Sequence, residues 1–229
     1  MKSNTSPRSG EPRKIVVIGC KGTARNIIHQ ISDAIENHGL NWEIAGICID
    51  EPAPGTFYLD IPILAGINDI EKLIRNESYS FIFALFKPEQ MKGRYHLMQS
   101  LNIPANRYVN FIHPSSYVSS DTKLGRGNII LSNCSIQSGV NTGDNIIINS
   151  NVTIEHDSVI GDFNFFSAGS TIGSETNIGN YNFFGLNSSL KEKIRIGDNV
   201  FVGMGSVIID NFSNSKIYGV PARKICDWN

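Results

Sequence analysis

Every sixth residue from Ile112 to Ile208 is bulky and apolar, with a single exception. In order these are Ile112, Val118, Leu124, Ile130, Ile136, Thr142, Ile148, Ile154, Ile160, Phe166, Ile172, Ile178, Phe184, Leu190, Ile196, Val202 and Ile208, and only Thr142 departs. An α-helix repeats near 3.6 and a simple strand at 2, so a strict six predicts a hexapeptide β-helix. Three hexads make one triangular coil, and the sixth-residue side chains stack inside the prism. Burial of each contributes roughly 1.5–3 kcal/mol, and one inserted residue would turn the stack inside out. Gly125, Gly143, Gly161, Gly173, Gly179, Gly185, Gly197 and Gly203 each follow an inward residue directly. They are expected to supply the left-handed backbone angles of the corners.

Ahead of the repeat the period changes. Residues 1–13 are polar, contain two prolines and read as a flexible tail. Lys14–Gly19, Glu43–Asp50 and Ser80–Leu85 read as strands. A helix follows the first strand, with Ala24, Ile27, Ile28, Ile31, Ala34 and Ile35 on one face, and further helices are predicted over Asn68–Arg75 and Pro88–Leu101. Alternation of this kind predicts a small parallel α/β sheet over 14–107, followed by the coil domain over 108–229. Ligands of such sheets bind beyond the carboxyl ends of the strands, which here are Gly19–Arg25, Asp50-Glu51 and Phe86-Lys87. Lys21 stands where a dinucleotide fingerprint needs its second glycine, which disfavours hydride transfer. The same turn still offers Gly22 and the following amides to a phosphate at a helix N-terminus, with Lys21 or Arg25 as counter-charge. Asp50 reads either as a ribose or base contact or as a solvated strand-end carboxylate.

A formal net charge of -1 and a pI near 6.5 provide no basic field for nucleic acid or acidic membranes. No apolar run reaches the ~20 residues of a membrane span and no signal-peptide core stands at the N-terminus, so the expected location is cytoplasmic. Cys20, Cys48, Cys134 and Cys226 lack CxxC spacing and read as incidental thiols.

Few residues of the coil can move a proton. His156 lies two residues after inward Ile154, flanked by Glu155 and Asp157. Its ring is therefore expected outside the core, with a carboxylate holding one nitrogen protonated and leaving the other to accept a proton. A zinc site needs about three histidines, and only His113 and His156 lie in this region, so no metal is expected. His29, His38 and His96 fall on first-domain helices and read as solvated. Near the C-terminus, Gly219, Pro221 and Ala222 are expected to form a turn by which the chain leaves the prism. Arg223 and Lys224 beside it read either as a terminal tail or as a cationic edge.

The strand KIVVIG, the junction FIHPSSYVS (Phe111–Ser119), TIEHDSVIGDF (Thr153–Phe163), the hexads through VFVGMGSVI (Val200–Ile208) and GVPAR together resemble the bacterial sugar acyltransferases of the PglD/NeuD type. The resemblance covers nearly everything after the tail. It implies a Rossmann-like domain followed by a left-handed parallel β-helix, assembled as a homotrimer. It also implies acetyl-CoA as cosubstrate, with His156 as general base tuned by Asp157. Acetyl-CoA contacts are implied at Phe165, Leu186 and Gly203-Met204-Gly205, largely through backbone in a groove between subunits. The neighbouring coil near Ser174 is expected to hold the oxyanion, and Arg223 and Lys224 the anionic end of the cofactor. Contacts with a nucleotide-linked amino sugar are implied at Lys21, Gly22, Thr23, Ala24, Asp50, Glu51 and Gly66. The chain departs from the family in three places. Gly19-Cys20-Lys21-Gly22-Thr23 replaces a histidine-bearing glycine turn, Phe86-Lys87 replaces Gly-Asn, and Phe165 replaces the histidine of a Phe-x-His. N-acetylation of the sugar is the expected reaction. O-acetylation of a sugar hydroxyl and a non-catalytic nucleotide-sugar scaffold are the alternatives.

Overall fold

Four consecutive apolar residues, Ile15 to Ile18, form the buried part of the first strand, β1 (Arg13–Ile18). The computed structural model describes residues 10–227, so most of the expected N-terminal tail lies outside the described residues. The chain groups into two units, one of residues 10–86 with 97–109 and one of residues 87–96 with 110–227.

In the first unit β1 lies between β2 (Trp42–Cys48) and β5 (Tyr79–Phe83), parallel to both. Helix α1 (Thr23–His38) buries Ala24, Ile27, Ile28, Ile31 and Ala34, the stripe expected from a 3.6 period, and ends at left-handed Gly39. A hairpin not anticipated from the sequence, β3 (Phe57–Tyr58) and β4 (Ile61–Ala65), adds β4 parallel to β2. Pro62 conceals it in the sequence. The proline is tolerated because β4 begins to pair with β2 only at Ile63, so its missing N–H removes no bond to β2. The sheet order β3-β4-β2-β1-β5 is half of a Rossmann arrangement, with its reversal between β1 and β5. Short helices follow β4 (Ile67–Asp69 and α2, Glu71–Ile74); Pro88–Gln90 and α3 (Met91–Ser100) follow β5, their residues 88–96 grouping with the second unit.

The second unit is the left-handed β-helix. Its two-residue strands stack into three parallel walls, with partners 18 residues apart, as in Ile129↔Ile147↔Phe165↔Phe183 of the first wall and Ser135↔Thr153↔Thr171↔Ser189 of the second. The second residue of each strand is the sixth-position residue, and from Ile130 to Ile208 all of these except Thr142 lie in one buried column. Thr142 contributes a hydroxyl that accepts from Asn128 Nδ2 at 3.0 Å.

A second inward stripe lies two residues ahead of the first and includes Asn128, Cys134, Val140, Ile146, Val152, Ser158, Asn164, Ser170, Thr176, Asn182 and Ser188, all buried. Sequence reasoning missed it because seven of these eleven residues are polar. Most of that polarity is satisfied internally: Asn128, Asn164 and Asn182 accept the N–H of Ile146, Asn182 and Val200, each 18 residues on, while Asn182 Nδ2 is buried without a partner.

Two expectations are corrected. The glycines directly after the inward residues do not adopt left-handed angles. Those angles fall two residues later, at Gly127, Asn133, Gly139, Asn145, Asn151, Asp157, Phe163, Gly169, Glu175, Tyr181, Asn187, Lys193, Asn199 and Gly205. The first set is glycine because the next coil is too close: a Cβ on Gly161 would lie 2.8 Å from the Gly179 carbonyl oxygen. Nor does the chain leave the prism at Gly219. Ser215–Gly219 and Ala222–Asp227 form an antiparallel hairpin that extends the first wall, and Ile217 and Ala222 are buried in the core. From the segment before the coil, Tyr95 packs against Phe163 and Tyr181, with ring centroids 5.6 and 4.8 Å away.

Candidate functional site

The residues between the strands Thr153–Ile154 and Val159–Ile160 form one edge of the prism, and this edge carries a hydrogen-bonded imidazole. Asp157 sits at a left-handed corner, φ 58°. Its Oδ2 lies 2.9 Å from Nδ1 of His156. A carboxylate can only accept, so Nδ1 carries the proton and the neutral ring keeps its lone pair on Nε2. The His156 side chain is 49% exposed. The backbone holding it is fixed, since the Glu175 N–H donates to the His156 carbonyl oxygen at 2.9 Å and the Asp157 N–H to that of Ser138 at 3.0 Å. Ser174 stands one coil on along the same edge, and its carbonyl accepts the Lys193 N–H.

The remaining coil residues implied for the cofactor lie elsewhere on the prism. Phe165 is on the outer face of the first wall. It begins an aromatic ladder in which Phe165–Phe183, Phe183–Phe201 and Phe201–Tyr218 centroids are 5.3, 4.9 and 6.0 Å apart. Only its first rung was anticipated, and a comparison of the sequence at intervals of 18 would have revealed the next two. Leu186 and Met204 project, exposed, from the edge between the first and second walls, one coil apart. Gly203 is covered by the Tyr218 ring, which leaves no room for a Cβ, whereas Gly205 (φ 66°) is open. Arg223 and Lys224 are exposed on the terminal strand, with Arg223 Nη1 3.9 Å from Asp210 and Lys224 Nζ 2.5 Å from Asp227. Within one chain, then, His156 and Ser174 share one edge, while Leu186, Met204 and Gly205 share another.

In the first unit, parallel pairing of β1, β2 and β4 brings Lys21–Ala24, Asp50-Glu51 and Gly66 to the same end of the sheet. Gly22 opens α1 with no side-chain cap. Lys21 is exposed, whereas Ala24 is buried and donates its N–H to the Lys21 carbonyl. Asp50 Oδ1 accepts the Ile67 N–H at 2.8 Å, and a Cβ on Gly66 would lie 2.8 Å from that oxygen. One oxygen of Asp50 is therefore used in holding the turn after β4. Glu51 is exposed, and its carbonyl accepts from Cys20 Sγ. Burial raises the Cys20 thiol, with Lys21 opposing, and raises Cys48 to about 12, with Asp50 and Asp69 adding to the effect. Neither is a ready nucleophile.

No family model matches the sequence, and no curated protein sequence matches it. Solved structures do. The acetyltransferase domain of PglB from Neisseria gonorrhoeae, in complex with acetyl coenzyme A, superposes with a TM-score of 0.78 at 21% identity, covering 93% of this chain and 100% of that one. PerB from Caulobacter crescentus, in complex with CoA and GDP-perosamine, has a TM-score of 0.78 at 24% identity, covering 92% and 96%. WeeI from Acinetobacter baumannii has a TM-score of 0.71 at 17% identity, covering 92% and 99%. At these identities the likeness establishes the fold, a Rossmann-like unit followed by a left-handed parallel β-helix.

Proposed function

We propose that this chain transfers the acetyl group of acetyl-CoA to the amino group of a nucleotide-linked amino-deoxy sugar. The observation that carries the reading is the His156–Asp157 pair, with Nδ1 tied to a carboxylate and Nε2 open on an exposed edge of the coil. The amine nitrogen attacks the thioester carbonyl, and Nε2 of His156 takes its proton as the C–N bond forms. The C–S bond then breaks and the thiolate of CoA leaves, taking a proton in turn. Asp157 orients the ring and stabilises it once protonated. The Ser174 N–H is the backbone donor for the developing oxyanion, since those of Gly173 and Glu175 donate to the Leu190 and His156 carbonyls. General-base help accelerates such a step by ~10²–10⁴, about 3–5 kcal/mol at 1.36 kcal/mol per decade.

In this reading residues 108–229 are the acyltransferase domain, and Phe165, Leu186 and Gly203-Met204-Gly205 line the pantetheine, with Arg223 and Lys224 towards its anionic end. Because these residues lie on a different edge from His156, the site is completed by a second copy, as a homotrimer allows. Residues 14–107 take the nucleotide sugar at Lys21–Ala24, Asp50-Glu51 and Gly66. No resident metal enters the reaction. Acetyl-CoA and nucleotide sugars are cytoplasmic metabolites, which places the enzyme there; no described helix is long and apolar enough to cross a membrane. The fold shared with a structure holding CoA and GDP-perosamine supports an amine over a hydroxyl acceptor. A thiol-release assay with acetyl-CoA and a panel of nucleotide-linked amino and hydroxy sugars tests the reading. Acceptor-dependent release with an amide product is expected, and no release with any acceptor, despite nucleotide binding, overturns it in favour of a scaffold.

A further inference from the structure

Residues spaced by 18 along the His156 edge are Asp121, Gly139, Asp157, Glu175 and Lys193. The structure ties the first three together. The Asp121 carboxylate accepts the Ser119 and Ser138 hydroxyls at 2.6 and 2.7 Å and the Gly139 N–H at 3.2 Å. The hydrogen bonds from Ser119 and Ser138 hold its carboxyl below the usual range although it is exposed. Gly139, at φ 72°, presents its bare Cα to the next coil, where a Cβ would lie 2.3 Å from Asp157 Oδ1 and 3.2 Å from its Cγ. The other oxygen of that carboxylate is the one 2.9 Å from His156 Nδ1.

From this juxtaposition we infer that Gly139, held in place by Asp121, is the positioning residue that sets the Asp157 carboxylate and through it the tautomer of His156. Asp157 has two oxygens and one available seat: Oδ1 rests in the space that the missing Cβ leaves, which aims Oδ2 at the imidazole. A methyl there displaces the carboxylate, the Nδ1–H loses its acceptor, and the neutral ring redistributes its proton between Nδ1 and Nε2. The inference rests on the proposed role of His156 for its catalytic consequence only, since the tautomer is measurable without substrate.

The fold supplies a matched control. Gly169 has φ 74°, and a Cβ on it would lie 2.1 Å from Asn187 Oδ1, on an edge whose histidine among the described residues, His113, stands three coils away. Gly139→Ala and Gly169→Ala therefore carry similar backbone strain and similar overlap with the next coil. ¹⁵N-histidine NMR of the full chain, with His156 assigned by His156→Gln, reads the tautomer. A shift of His156 away from the Nδ1–H form is expected in Gly139→Ala and none in Gly169→Ala. Asp121→Ala is expected to move it in the same direction without adding an atom at the corner, while Asp121→Asn, which keeps an acceptor oxygen, restores it. In the acetyl-transfer assay Gly139→Ala is expected to lower kcat by about tenfold or more, up to the full general-base factor, with KM unchanged. An unmoved tautomer in both Gly139→Ala and Asp121→Ala overturns the inference, as does a His156 shift of equal size in Gly169→Ala. A shifted tautomer in a chain with no acetyl transfer upholds the geometry and rejects the enzymatic reading instead.

Discussion

The coil contains glycines of two physical kinds, and one pair of substitutions separates them. Gly161 lies directly after inward Ile160, outside the left-handed region, with the next coil against it. A Cβ there would sit 2.4 Å from Asn180 Oδ1, 2.8 Å from the Gly179 carbonyl oxygen and 2.9 Å from its carbon. The asparagine can rotate, but the backbone cannot, because the Gly161 N–H donates to the Ile178 carbonyl at 2.7 Å and the Gly143 N–H to that of Ile160 at 2.8 Å. Restoring ordinary contact means opening the coil spacing by roughly half an ångström. Overpacking of this kind costs about 1–3 kcal/mol and a weakened ladder bond about 0.5–1.5 more, so Gly161→Ala is expected to cost about 2–4 kcal/mol. Gly205 is the reverse case, with φ 66° and nothing within 4 Å of a Cβ. Its alanine variant carries only the left-handed penalty of about 1–2 kcal/mol. Urea unfolding of both variants at one protein concentration checks the ranking. A cost for Gly205→Ala equal to or above that for Gly161→Ala would refute coil-to-coil contact as the reason for the first set of glycines.

Three further outcomes are expected. His156→Ala should lower turnover in the thiol-release assay by about 10²–10⁴ and leave the melting temperature close to that of the parent, since the ring is half exposed; unchanged turnover removes His156 from the mechanism. Thr142→Val completes the apolar stripe yet should destabilise by about 0.5–1.5 kcal/mol, because Asn128 Nδ2 loses an acceptor, and stabilisation in calorimetry would show that the stripe outweighs the bond. Asp121 has a lowered carboxyl pKa, chiefly through the Ser119 and Ser138 hydroxyls, so the folded state holds that proton less readily than the unfolded chain. Its contribution is present above the ordinary carboxylate range and lost as pH falls through the lowered value. Asp121→Asn should therefore flatten the acid limb of stability against pH, and an unaltered limb argues that these hydrogen bonds do not persist in solution.

The stride from Ile112 to Ile208 was legible in the amino-acid order because burial repeats along one chain wherever the backbone repeats, and each inward side chain reports its own environment. The α1 stripe was legible for the same reason, and so was the exposed position of His156, two residues past Ile154. The sequence concealed features that depend on a second segment. Polar Asn164 and Ser170 read as surface until the neighbouring coil supplies their partners. Pro62 argued against a strand until β4 was seen to start its pairing with β2 after it. Glycine was assigned to the bends, although Asn, Asp and even Phe163 and Tyr181 occupy left-handed corners and the glycines at 161 and 179 serve close approach. The order of residues alone determined a three-walled column and an imidazole beside a carboxylate. Only the tertiary structure decided which oxygen faces the ring and what aims it, because those facts belong to contacts between residues one coil apart.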